Sequence, residues 1–163
     1  MSTEERQKLQ HLFGFDLWCT RKLTDLLLES SSFKEKSACS AFLSHIINAQ
    51  EIWFNRVINL DFTDVDPWNE YPVEEMKRSA KNTTQKWIDL IGDHEINLNT
   101  MIHYQNTKGV DFKNPLWQIC HHLVIHGQHH RAQISLMLRI ANIEPPPTDY
   151  IHYTRLRRST KGE

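Results

Sequence analysis

Glycine is scarce in this chain, five in 163 residues, and the composition leans towards helix. There is no excess of charge either. A formal net charge of −1 gives no long-range field suited to nucleic acid or to an anionic membrane. No apolar run approaches the roughly 20 residues that span a bilayer, and the polar start from Met1 to Arg6 has no signal-peptide core. Three cysteines, Cys19, Cys39 and Cys120, are odd in number and far apart, which argues against a disulfide framework. They read as small apolar side chains in the core of a cytoplasmic protein. The length suits one domain with a real core and is short for two. The expectation is a cytoplasmic protein with no nucleic-acid or membrane partner.

Histidine is what the chain has in plenty. Five of ten fall at His121, His122, His126, His129 and His130, and His122, His126 and His130 are spaced by four. Steps of four on a helix keep side chains on one face, so imidazoles at that spacing can converge on one metal ion. One helix rarely completes such a site, so the other elements must supply a further ligand.

In chain order, Ser2 or Thr3 before Glu4 and Glu5 reads as an N-cap. Leu9, Leu12, Phe13, Leu23 and Leu27 then form the stripe of a helix to about Glu29. Asp16 falls within that stripe, where a carboxylate is costly unless paired or hydrogen-bonded. Two readings stand: it reaches a bundle end or a hydroxyl, or it orients a metal-bound histidine. A second helix is expected from about Ser37 to Asn59, with Ala38, Phe42, Ile46, Ala49, Trp53 and Val57 inward and His45 on the same stripe. Residues 60–72 read as a loop, in which Trp68 and Tyr71 suggest a fold back onto the body or over a site mouth.

The third helix is expected from about Val73 to Asp93, and residues 95–112 read as a short β-hairpin. Asn114 as N-cap with Pro115 at the first helical position opens the fourth helix, which runs to about Asn142. Its buried stripe is Leu116, Ile119, Leu123, Ile134, Met137 and Ala141. At about 100° per residue, His126 and His130 fall inside it, His122 and His129 lie on its edge, and His121 points away. Pro145 to Pro147 end the helical part. Residues 148–153 are placed to dock back, and 155–163 read as a basic, frayed tail. Residues 1–154 are thus expected to form a single all-α four-helix bundle with a hairpin between helices three and four.

His45, His126 and His130 together give three neutral imidazoles, which with water make an open site for Zn²⁺, Ni²⁺ or Fe²⁺. His122 is left as a fourth ligand, an outer-shell partner or a proton carrier near the mouth. A di-iron carboxylate bundle needs inward glutamates, and helix four has none before residue 144. Two histidines one turn apart cannot clamp opposite faces of a haem.

The run His122-x3-His126-x3-His130-Arg131-Ala132-Gln133 resembles the helix-four signature of the DinB-like superfamily, H-x3-H-x3-HRGQ, with Ala132 for Gly. His45, with Trp53 eight residues on, is similar to that family's helix-two histidine. Phe15-Asp16-Leu17-Trp18 resembles its Tyr-Asn-x-Trp pattern, and Pro146-Pro147-Thr148-Asp149-Tyr150 its closing motif. The resemblance implies an up-down-down-up bundle, a metal triad at His45, His126 and His130, and a frequent homodimer. The superfamily includes S-transferases and isomerases that use bacillithiol or mycothiol. By that analogy the function implied is metal-dependent transfer of a low-molecular-weight thiol to an electrophile, with Asp16 or His122 moving the proton. The alternatives are a metal-dependent hydrolase and a non-catalytic metal-binding stress or scaffold protein.

Overall fold

The computed structural model describes residues 1–60, 65–106 and 108–159. Among the described residues five helices, α1 (Thr3–Glu29), α2 (Lys36–Val57), α3 (Val73–Gly92), α4 (Leu116–Ile140) and α5 (Tyr150–Ser159), carry the fold. A two-stranded antiparallel hairpin, β1 (Met101–Gln105) and β2 (Asp111–Pro115), joins α3 to α4 and pairs His103 with Lys113. Among the described residues no helix is long and apolar enough to cross a membrane. Thr107, at the expected hairpin break, and Asp61 and Asp64 of the expected loop lie outside the described residues.

Two apolar clusters fix the direction of each helix. One joins Leu9 and Phe13 of α1, Trp87 and Ile91 of α3 and Leu116 to Val124 of α4, with Trp53 and Phe54 of α2 against it. The other joins Leu23 and Leu27, Leu43 to Ile47, Met76 and Ala80, and Ile134 and Leu138. The N-terminal halves of α1 and α4 therefore share one end with the C-terminal halves of α2 and α3. The bundle runs up, down, down, up, with α1 and α2 each packed on both α3 and α4. α2 and α3 are parallel, and the described residues 65–72 that precede α3 lie against α2, with Trp68 on His45.

Local chemistry sets the ends. Ser2 and Glu5 form a reciprocal capping box at the start of α1. Asn59 and Asn142 adopt the left-handed conformation, φ 56° and 58°. Just beyond them, Leu60 N–H donates to the Asn55 carbonyl and Ile143 N–H to that of Leu138, which closes α2 and α4.

The boundaries expected for α4 change at its start. Asn114 is not the N-cap: it lies in β2 opposite Ile102, and Pro115 takes the cap position. The exposed N–H groups of the first turn find carbonyls instead, Leu116 donating to Thr100 and Trp117 to Leu98 at 3.0 and 2.9 Å. Residues 96–100 are thus turns that cap α4 rather than strand. On α2 the expected stripe also shifts. Of it only Ile46 is buried, and the inward side is Cys39, Leu43, Ile46 and Ile47 with the polar Ser40, Ser44, Asn48 and Gln50. Hydrophobicity misplaces this face because those polar groups are buried with partners. Ser44 Oγ accepts from Tyr71 N–H, Asn48 donates to the Asn69 carbonyl, and Gln50 binds Asp16.

All three cysteines are free and buried. Residues 155–159, read from sequence as tail, continue α5, and 160–163 lie outside the described residues. The closing segment docks on α1: Tyr153 is 5% exposed against Phe15 and Trp18, and Tyr150 meets Phe15 edge-on.

Candidate metal centre

His45 on α2 and His126 and His130 on α4 meet between the two helices, their ligand atoms all within 4.8 Å of one another. His126 Nε2 and His130 Nε2 stand 3.1 Å apart. Two nitrogens bound to a tetrahedral ion at about 2.0–2.1 Å would be about 3.4 Å apart, so the pair is close to ligand spacing. The other ring nitrogens are engaged outward. His130 Nδ1 lies 2.7 Å from Gln133 Oε1, and His45 Nδ1 lies 2.8 Å from the Pro67 carbonyl. An acceptor on Nδ1 fixes the proton there and leaves Nε2 as the donor to a metal, the usual outer support of a metal-binding imidazole.

Of the expected loop, the described residues 65–72 fold back onto α2 beside His45. Trp68 stacks on His45 with ring centroids 4.0 Å apart and planes at 12°. Asn48 Nδ2 holds the Asn69 carbonyl at 2.7 Å, so the segment bearing Pro67 and Trp68 is tied to α2 at His45 and at Asn48.

His126 and His130 are held towards the neutral form that metals bind. Burial, followed by repulsion from His130 and His45, pushes His126 down to about 4. His130 is also lowered, by burial first and against the opposing bond to Gln133. In the unfolded chain both would protonate near pH 6.5. As pH falls below that value the unfolded state takes up protons that the folded state refuses, so stability drops until the folded histidines protonate as well. The urea midpoint of metal-free protein should hold steady above pH 7 and fall between pH 6.5 and about 4. In His126→Phe that fall should be shallower. Equal slopes for the two proteins would contradict the assignment.

Asp16 is brought near this site by Arg131, the neighbour of His130, rather than by touching a histidine. The carboxylate is 1% exposed; Oδ1 lies 2.7 Å from Arg131 Nη1, and Oδ2 accepts from Gln50 Nε2 at 2.8 Å. Arg131 is fully buried. Gln50 continues the network, its Oε1 accepting from Thr84 and its backbone carbonyl from Trp87 Nε1. All four helices are joined this way. Gly127 makes the approach possible, since a Cβ there would lie 2.5 Å from Asp16 Oδ1. Of the two readings of Asp16, it reaches neither a bundle end nor a hydroxyl, and the side chains that bind it are Arg131 and Gln50 rather than a histidine. Arg131 is the residue that hydrophobic periodicity misses, because a buried arginine on an apolar stripe has no signature beyond the His-Arg-x-Gln run.

The remaining histidines divide. His122 is exposed one turn before His126, its ring 5.6 Å from His126 and 5.8 Å from Trp53. His129 is exposed beside His130. His121, expected to face solvent, is half-buried with Nδ1 2.8 Å from the Trp117 carbonyl. It takes no part in the triad.

The model of the DinB family matches residues 16–162, a span that includes the triad, Asp16 and Arg131. The chain belongs to the DinB family. It is similar to "Protein DinB" of Bacillus subtilis (strain 168), 30% identical over 90 residues. That match takes in 55% of this chain and 52% of the relative, so it spans about half of the curated protein. No solved structure is a match. Membership in the DinB family and the histidine cluster together make this a candidate metal-binding protein.

Proposed function

We propose that His45, His126 and His130 hold a divalent ion, Zn²⁺, Ni²⁺ or Fe²⁺, and that the centre transfers a low-molecular-weight thiol to an electrophile. One observation carries the metal reading: Nε2 of His126 and His130 stand 3.1 Å apart while Nδ1 of His130 and of His45 is committed to an outward acceptor; thiol transfer is added by analogy with the family. Three imidazoles leave a position for an exogenous ligand. A divalent ion supplies a depressed pKa to a thiol or water in that position. The protein groups do the rest. Pro67 and Gln133 orient the rings, Trp68 shields one side, and exposed His122 accepts the departing proton. Asp16 acts as a positioning residue, holding Arg131 beside His130.

The buried free thiols favour a cytoplasmic setting. The homodimer implied by resemblance has a surface to use: Ile125, Leu136 and Ile140 are 60–67% exposed along the outer side of α4. Protein purified without a nickel column should carry about one transition ion per chain and sediment as a dimer. It should conjugate bacillithiol, coenzyme A, cysteine or glutathione to a chlorinated nitrobenzene, and a chelator should stop the reaction. A metal-loaded protein inert to every thiol but active on esters or amides would replace transfer with hydrolysis. Loaded protein inert to all of them would leave the scaffold role. Protein that holds no metal would remove the centre itself.

A further inference from the structure

Residues 65–72 form only turns, yet Ser44, His45 and Asn48 fasten them to one side of α2. Buried Ser44 accepts from Tyr71 N–H at 3.0 Å, and buried Asn48 donates to the Asn69 carbonyl at 2.7 Å. The Pro67 carbonyl meets His45 Nδ1 at 2.8 Å and Asn48 Nδ2 at 3.4 Å. Trp68 lies flat on the His45 ring and edge-on to Phe42, with centroids 4.0 and 5.9 Å away. Inside the segment, Trp68 N–H donates to Asp66 Oδ1 and Asn69 N–H to the Asp66 carbonyl. That tight turn presents Pro67 and Trp68 to the same imidazole. His45 is thus a metal-ligand candidate and an anchor of this segment at once.

The two roles select one tautomer. A neutral imidazole has a single ring proton, and its other nitrogen carries a lone pair. With the proton on Nδ1, His45 donates to Pro67 and offers Nε2 to an ion. With the proton on Nε2 it does neither. An ion then finds no lone pair there, and the lone pairs of Nδ1 and the carbonyl face each other across 2.8 Å. A ligand shifts an equilibrium only by its different affinity for the two states, and this tautomer supplies the difference.

We propose that residues 65–72 are a strap coupled to the centre through His45: an ion on Nε2 tightens the strap against α2, and docking of the strap raises the affinity for the ion. The strap rests on the metal reading above and adds its regulation, since whatever lifts Trp68 from His45 also loosens the ion. Such coupling is reciprocal and usually amounts to about 5–150-fold.

Backbone hydrogen exchange of metal-free and Zn²⁺-loaded protein, read by mass spectrometry with zinc affinity titrated alongside, tests the coupling. Zinc should slow exchange across residues 65–72 by at least about fivefold, through the amides of Trp68, Asn69 and Tyr71. Residues 96–100, which cap the start of α4, should keep their rate. Trp68→Ala changes a half-exposed side chain, so the melting temperature of metal-free protein should stay in place. Its zinc affinity should fall by about fivefold or more, and Trp68→Phe, which keeps a ring for His45, should recover most of it. Zinc that binds without slowing residues 65–72, or that slows both segments equally, overturns the strap and leaves the metal reading intact. Unchanged zinc affinity in Trp68→Ala overturns it too, as does equal weakening in Trp68→Ala and Trp68→Phe. Failure of unaltered protein to bind zinc removes the metal reading, and the strap with it.

Discussion

His130→Ala should abolish tight metal binding, weakening it by more than the 10–100-fold typical of losing an outer-shell partner. The side chain removed makes the 3.1 Å Nε2–Nε2 approach to His126 and is the one that Gln133 orients. Two imidazoles on different helices cannot enclose an ion as three do, and solvent would take the vacated position. Gln133→Leu is the graded comparison, because it keeps all three ligands and loses only the acceptor on Nδ1. It should cost about 10–100-fold. The same ordering should appear in heat stability. An ion at a hundred times its dissociation constant adds about 2.7 kcal/mol, worth roughly 5–10 °C in a domain of this length. That metal-dependent rise should be full in unaltered protein, reduced in Gln133→Leu and missing in His130→Ala. Isothermal titration of the metal-free proteins with Zn²⁺, alongside melting with and without the ion, measures both. Unchanged zinc affinity in His130→Ala would remove it from the ligand set.

The pair on α4 was legible because histidines that could share an ion from one helix must recur with the helical period. His126 and His130 fall on the inward stripe at four-residue spacing, and both are half-buried there. His45 was legible as the group that helix four lacked. The bundle, its hairpin and the loop that covers His45 followed from apolar periodicity and turn chemistry. What could not be read was anything resting on buried polarity. Ser44, Asn48 and Gln50 face inward because residues 67–71 and Asp16 bind them, and those partners are distant in sequence. Asn114 read as a cap, but the chain supplies Leu98 and Thr100 carbonyls to α4 instead. Asp16 signalled that something must compensate it without revealing that the partner was a fully buried arginine on another helix.

That arginine gives the largest expected loss of stability. Arg131→Met should destabilise the fold by about 3–5 kcal/mol, the usual cost of leaving one member of a buried ion pair alone. A domain has about 5–15 kcal/mol in all, so a drop of roughly 10 °C in Tm is expected. The pair is also poorly satisfied as it stands. Nη1 and Oδ1 are 2.7 Å apart as a charge contact, yet neither atom has an aligned hydrogen bond, and Nη2 has no acceptor among the described residues. Desolvation of two charges is offset here largely by their mutual attraction, with only Gln50 Nε2 and Gln128 Oε1 assisting at 2.8 and 3.3 Å. An apolar pair of similar volume should therefore serve the fold as well or better. Asp16→Leu with Arg131→Met should recover most of the stability lost by Arg131→Met alone. If the pair is retained to hold α4 in register behind His130, the double variant will fold yet bind zinc more weakly than unaltered protein. Urea unfolding of the single and double variants, metal-free, measures the first effect, and zinc titration of the double variant the second. Recovery of stability with full zinc affinity would make Asp16 and Arg131 a fold element with no part in the centre. Failure of the double variant to regain stability would mean that Gln50, Gln128 and Gly127 are built around the charges and cannot accept an apolar pair.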